Sequence, residues 1–332
     1  MDNAFVNQAL EEAAKRTFTH LTGSEDTLKP LYLQPDRALF LAENQRIILK
    51  VYTAGTALQR EYATAQKAAS IGVPTAKMLR LDAGPPAVLA MKQVPGHPLS
   101  SRNPFAAKEA GRYLQRLHTL EAQPPFSGGQ QQWDAFICWW ANEEREKVKR
   151  LGVLDPFQMS ELQEQFDHLQ PLLAQRPIAL LHGDLQAAHI LVDPQTEQVL
   201  AFLDFADAQP GDPLLDIAVV TLWEPGLTDF LLEGYGGIAY TEETKQLLSL
   251  YRLLRHLAEI PWLLERGFKA LAQRNIAALK TSLRALHHSK ALPRMGEHTL
   301  GRADEIRTSS LMSSQPDDNG GSVRQSDAGG DG

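Results

Sequence analysis

The stretch IALLHGDLQAAHILVD, residues 178–193, sets two histidines and two aspartates into a run that is otherwise largely apolar. It continues through PQTEQ (194–198) into VLAFLD (199–204), so two β-favouring runs flank a short polar turn, the pattern of a hairpin. Pairing about Thr196 sets His189 opposite Leu203 and beside Asp204. Asp184, Gln186, His189 and Asp204 then converge at the open end of the hairpin. A carboxylate on a loop, a second at the adjacent strand end and a neighbouring donor are what a divalent ion bridging phosphates requires. Either aspartate alone is explained as a turn cap. Four polar residues gathered inside apolar flanks are not, because unpaired carboxylates there are costly, and the cluster reads as a functional centre.

Downstream, QPGDPLLDIA places Asp212 before Pro213, an N-cap followed by proline at the first helical position. Asp216 lies four residues later on the same helical face, an acid inside an apolar run. It is expected to brace the 182–189 loop through backbone hydrogen bonds, and His182 to order that loop. Upstream, Lys50 is the charge at the end of the apolar run RIILKVY, and Glu61 stands eleven residues on in QREY. Two readings stand for Lys50: a solvated lysine at a strand end, or a lysine paired with Glu61 and aimed at phosphates.

Around this centre, residues 4–16 predict a short amphipathic helix and 29–52 a three-stranded antiparallel meander. Residues 57–72 predict a helix stopped at Gly72, and two further strands flank Gly84–Pro86. From Pro104 the pattern turns helical, with segments at 104–120, 131–150, 155–175 and 243–289. The fold class is therefore α+β: a small antiparallel sheet with one helix, then a larger, mostly helical part. Residues 1–94 form the first part, 95–289 the second, and 290–332, poor in apolar residues, a disordered tail without catalytic role.

The net charge of −7, with no lysine or arginine cluster, argues against a nucleic-acid backbone as partner. No apolar run reaches the roughly 20 residues of a membrane helix. The single cysteine, Cys138, excludes an intramolecular disulfide, reads as a buried thiol among bulky neighbours, and points to a reducing compartment. The expected location is the cytoplasm.

These residues together resemble the aminoglycoside phosphotransferase family, the antibiotic-kinase and choline-kinase branch of the bilobal protein-kinase-like fold. The resemblance is carried by HGDLQAAHIL (182–191), FLDFADAQPGDPLLDIA (202–218), ILKVY (48–52) with QREY (59–62), AVLAMKQVPGHPL (87–99) and AGRYLQRLHTL (110–120), covering residues about 20–290. It implies that Asp184 is the catalytic base, that Asp204 with His189 holds the magnesium ions, and that Lys50, oriented by Glu61, binds the α- and β-phosphates of ATP or GTP. The segment near Met91, Gln93 and Val94 would receive the purine. The family's loop usually has asparagine where this chain has His189. Imidazole is a softer ligand than an amide oxygen, so weaker magnesium binding or greater tolerance of Mn2+ is expected. The first turn of the sheet, LQPDRALF, lacks the glycines of a protein-kinase phosphate loop.

The resemblance implies a phosphotransferase acting on a hydroxyl of a small molecule, and an aminoglycoside-like antibiotic leads among acceptors. Acidic residues beside tryptophans suit a cationic or sugar-bearing acceptor, and Glu224, Glu259 and Trp262 are the candidates. A metabolic kinase of choline, an amino alcohol or a sugar is the alternative, and a nucleotide-binding pseudokinase a further one. The state is expected to be monomer or dimer.

Overall fold

The computed structural model describes residues 3–121 and 130–291, so the tail expected beyond residue 290 lies, from 292 on, outside the described residues. The chain opens with α1 (Asn3–Thr22), followed by β1 (Leu28–Gln34), β2 (Arg37–Ala42) and β3 (Ile47–Tyr52). Next come α2 (Thr56–Ser70), β4 (Met78–Asp82) and β5 (Ala87–Lys92), and the five strands form one antiparallel sheet in the order β1-β2-β3-β5-β4. The expected meander and second strand pair are present. Helix α1 is longer than expected because its buried stripe, Leu10, Ala13, Ala14 and Phe18, packs on the sheet and carries the helix past Arg16. Packing of that stripe outweighs the weak helix propensity of the Thr-rich end.

The sheet is covered on both faces, and alternation decides which residue goes where. In β3, Ile47, Leu49 and Val51 enter the α1 side of the core. Ile48 and Tyr52 pack on the other side, with Leu58 of α2, so Lys50 between them must also face α2. In β5 the run AVLAM is buried throughout, with Val88 and Ala90 toward α1 and Leu89 and Met91 toward α2.

The second part is mostly helical. Strand β6 (His97–Pro98) leads into α3 (Pro104–Leu117), α4 (Gln130–Leu151) and α5 (Pro156–Leu169). Asp155 caps α5 in a reciprocal box with Gln158. Short strands follow: β7 (Ala179–Leu181), β8 (Ile190–Val192), β9 (Val199–Phe202) and β10 (Gln209–Gly211). Strands β8 and β9 form the expected hairpin, edged by β6, and Leu203 N–H donates to His189 C=O at 2.8 Å, the pairing read from the sequence. Helix α6 (Pro213–Val220) is buried along its whole length, α7 (Thr228–Tyr235) packs on α3, and α8 (Glu242–Glu265) and α9 (Lys269–Ala291) close the lobe. The helix expected over 243–289 is broken at Gly267, whose φ of 78° lies in the left-handed region that favours glycine. Cys138 on α4 is half-buried rather than fully enclosed.

Candidate active site

Because Lys50 faces α2, it meets the one acid on the buried stripe of that helix. Glu61 belongs to the series Leu58, Glu61, Ala65, Ala68, and both its carboxylate oxygens lie 2.9 Å from Lys50 Nζ. Lys50 is therefore paired with Glu61 rather than a solvated lysine at a strand end. The same ammonium reaches Asp204 Oδ1 at 2.8 Å. Burial pulls the Lys50 pKa down, but the facing charges of Glu61 and Asp204 outweigh it, and the group stays protonated. Burial pushes Asp204 up, and Lys50 with His189 more than offsets that, lowering its pKa to about 2. Glu61 is raised by burial, which its contact with Lys50 only partly counters. Asp204 sits at φ 65°, a left-handed position that turns the chain sharply as the strand ends and aims the carboxylate back at the sheet lobe.

The loop before the hairpin is held from behind. Asp216, fully buried, accepts from His182 N–H at 2.7 Å and Gly183 N–H at 2.9 Å, and its Oδ2 lies 3.1 Å from His118 Nε2. Burial alone would raise the Asp216 pKa, yet the His118 hydrogen bond and charge hold it below the ordinary value. His182 donates through Nε2–H to Leu203 C=O at 2.8 Å, and burial lowers its pKa, so it is a neutral spacer and carries no charge into the loop. Gly183 has φ 85°, and a Cβ there would overlap the Asp207 carbonyl, so the glycine of HGD is a packing requirement. Asp212 caps α6 through Leu214 N–H and also takes Arg176 Nε at 2.7 Å and the Tyr251 hydroxyl at 2.9 Å. Asp212 and Asp216 are thus both buttresses, removed from solvent.

So supported, Asp184 lines an open cleft of about 1040 Å³ that also receives Lys50, Gln186, His189, Asp204, Asp207, Arg255, Glu259 and Trp262. His189 Nδ1 lies 2.7 Å from the Asp184 carbonyl oxygen and donates to it, which leaves Nε2 with a free lone pair. Among the described residues no three His, Cys, Asp or Glu side chains cluster as a protein-only metal cage. One ionised carboxylate with one free imidazole nitrogen, completed by phosphate oxygens, nevertheless fits a magnesium ion that relies on its substrate for ligands.

The remaining expected residues separate. Glu259 and Trp262 line the cleft. Glu224 does not: its carboxylate accepts Ser101 N–H at 2.9 Å, and its neighbour Trp223 lines the cleft instead, with Arg274 3.9 Å over the ring. Met91, Gln93 and Val94 lie outside this cleft's lining, at and just beyond the end of β5, where Met91 and Val94 pack toward α2 and Gln93 N–H donates to Arg46 C=O. Two residues escaped the sequence reading. Asp207 enters the cleft three residues after Asp204, and burial, then the charges of Asp184 and Asp204, raise its pKa. Arg255 binds Asp184 Oδ1 at 2.6 Å. Its position four residues before Glu259 in the apolar run of α8 was the available signal.

A family model described as a phosphotransferase enzyme family matches residues 34–246. No curated protein matches the chain in sequence. Among solved structures the chain is similar to a choline/ethanolamine kinase family protein from Mesorhizobium loti, at 19% identity and TM-score 0.64 over 85% of this chain and 97% of that one. It is similar to the GDP and kanamycin complex of APH(2'')-IIIa, at 15% identity and TM-score 0.66 over 82% and 98%. A thermostable mutant of aminoglycoside phosphotransferase APH(4)-Ia, in ternary complex with AMP-PNP and hygromycin B, gives 18% identity and TM-score 0.63 over 82% and 98%. These likenesses identify the bilobal kinase-like fold, and the family match extends over well more than half of the sequence. The chain belongs to this phosphotransferase enzyme family.

Proposed function

We propose that the chain moves the γ-phosphoryl group of ATP or GTP to a hydroxyl of a small, aminoglycoside-like acceptor. The observation that carries this reading is that one cleft is lined both by Lys50, fixed by Glu61 and paired with Asp204, and by the Asp184 carboxylate, held by Arg255. Lys50 binds nucleotide phosphates, and Glu61 fixes its ammonium. Asp204 and His189 hold magnesium, which when bound neutralises phosphate charge. Asp184 orients the acceptor hydroxyl and takes its proton late in the transfer. Phosphoryl transfer asks mainly for positioning and charge neutralisation, so this small set of side chains suffices. The purine is placed against the backbone at Met91, Gln93 and Val94, with the nucleotide lobe taken as residues 1–94 and the acceptor lobe as 95–289. One chain carries every group named, so monomer and dimer serve equally, and a consumer of nucleoside triphosphate works in the cytoplasm.

One observation favours a second reading, a metabolic kinase of choline, an amino alcohol or a sugar. Two of the cleft acids that would attract a polycation are already paired, Glu259 with Arg255 at 3.3 Å and Glu144 with Lys147 at 2.8 Å. Nucleotide turnover across a panel of aminoglycosides, amino alcohols and sugars separates the two. The Asp184→Ala protein should lose about 10²- to 10⁴-fold in kcat. Binding of nucleotide with magnesium, but no turnover with any acceptor, would instead indicate a pseudokinase.

A further inference from the structure

The transfer as described gives no task to Arg255, although its guanidinium sits against the proposed base. Nη2 of Arg255 donates to Asp184 Oδ1 at 2.6 Å and to Glu259 Oε1 at 3.3 Å. Gln186 Nε2 reaches the same Oδ1 at 3.3 Å. The second oxygen is treated differently: His189 Nδ1 stands 3.9 Å from Oδ2 and spends its hydrogen on the Asp184 carbonyl. Among the described residues both side-chain donors to this carboxylate therefore converge on one oxygen, and the other keeps no side-chain hydrogen bond on a residue that lines the cleft.

A carboxylate rotates easily about its terminal bond, and the wells are broad. Unheld, Asp184 would present either oxygen, over a range of directions, to an incoming hydroxyl. A charge-assisted hydrogen bond as short as 2.6 Å removes that freedom. The arginine is itself anchored: it lies in mid-α8, 16% exposed, with Glu259 one turn further along the same helix. We propose that Arg255 is a positioning residue that clamps Oδ1 of Asp184, so that Oδ2 is the oxygen presented to the acceptor hydroxyl, with Glu259 holding the clamp.

In the transfer the acceptor O–H bond breaks and its proton passes to Oδ2. The acceptor oxygen forms the new bond to phosphorus, and the bond from phosphorus to the nucleoside diphosphate breaks with its electron pair kept on the departing oxygen. In a loose phosphoryl-transfer transition state the proton moves late, and aim matters more than basicity. The carboxylate of Glu259 offsets part of the added charge; burial raises its pKa, and Arg255 counters that rise.

The inference rests on Asp184 being the base, and the test keeps the two apart. In the full-length protein, Arg255→Ala is expected to lower kcat by about 10²-fold, the cost of a misplaced reacting group, while the thermal shift given by nucleotide with magnesium stays as in wild type. Arg255→Lys should recover part of the loss. Millimolar guanidinium, against a sodium chloride control, should recover kcat of the alanine variant with saturation. A kcat within two-fold of wild type, or a loss that neither lysine nor guanidinium restores, overturns the clamp. The pairing is also read without turnover, by melting temperatures of Arg255→Ala, Asp184→Ala and the double variant. Shifts that fail to add sustain it, and additive shifts remove it, even if the wild-type chain phosphorylates no acceptor and the phosphotransfer reading itself falls.

Discussion

At the scale of single residues, Asp216 shows how far a buried carboxylate can be committed. It serves two loop N–H groups and His118 at once and has no access to solvent. Asp216→Ala would leave those donors without partners in an apolar surround, and should cost roughly 3–5 kcal/mol in denaturant unfolding. The pH dependence follows from its lowered pKa. A carboxylate whose folded pKa lies below its unfolded value stabilises the fold above that unfolded value, about 3.9, and the contribution is lost as pH falls through the folded value. Acid unfolding of wild type below about pH 4 should therefore flatten in Asp216→Asn, measured by circular dichroism. His189 makes a different prediction. Its Nε2 is the nitrogen left for a metal, so His189→Asn should raise the ratio of activity in Mg2+ to activity in Mn2+, and an unchanged ratio would remove the imidazole from the metal's ligands.

At the scale of elements, the packing of α3 on α7 depends on two glycines that no catalytic motif explains. A Cβ on Gly234 would overlap the Lys108 carbonyl, and one on Gly111 would overlap the Leu231 carbonyl and stand 2.7 Å from Tyr235 N. Backbone is pressed against backbone here, and Lys108 pairs with Glu233 across the rim of the same contact. Alanine normally favours a helix by up to about 1 kcal/mol over glycine, so Gly111→Ala or Gly234→Ala would stabilise an isolated helix. In this protein the overlap should win, and either change should lower stability by about 1–3 kcal/mol or more, visible as a fall in Tm. Tyr235 lies on α7, and its hydroxyl is 3.0 Å from His118 Nδ1 at the end of α3, so the contact also feeds the brace behind the active loop.

At the scale of the whole molecule, the sheet lobe and the helical lobe share apolar packing at Ala65, Ala68 and Val73 and are tied at specific polar points. Lys50 of β3 binds Asp204 after β9, Arg60 of α2 donates to the Ala206 carbonyl at 3.0 Å, and Phe202 N–H donates to Pro74 C=O at 2.8 Å. On the proposed reading, nucleotide would bind between the lobes to groups that come together only in the folded chain, and should stabilise it by mass action, about 2.7 kcal/mol at a hundredfold excess over Kd. Lys50→Met removes both the proposed phosphate ligand and the tie to Asp204, so it should abolish most of this ligand-induced rise in Tm while acceptor alone still binds. Among the described residues no helix is long and apolar enough to cross a membrane.

Local order and spacing were enough to give the hairpin, its His189–Leu203 register, the capping role of Asp212, the bracing role of Asp216 and the five strands of the sheet. The strands, hairpin and cap follow from a period of two residues or from a side chain that acts within a few positions of itself, and the brace from an acid set inside an apolar run, which must find buried donors. The sequence also put Lys50 and Glu61 eleven residues apart, but only strand alternation against a packed helix decided that they touch. Tertiary structure alone brought Arg255 onto Asp184, 71 positions away, turned Glu224 to Ser101, and admitted Trp223 to the cleft in its place. Those choices depend on how helices cross and which carboxylate finds which donor. Crossing and pairing are set by the shape of the whole core, and no periodicity along the chain encodes that shape.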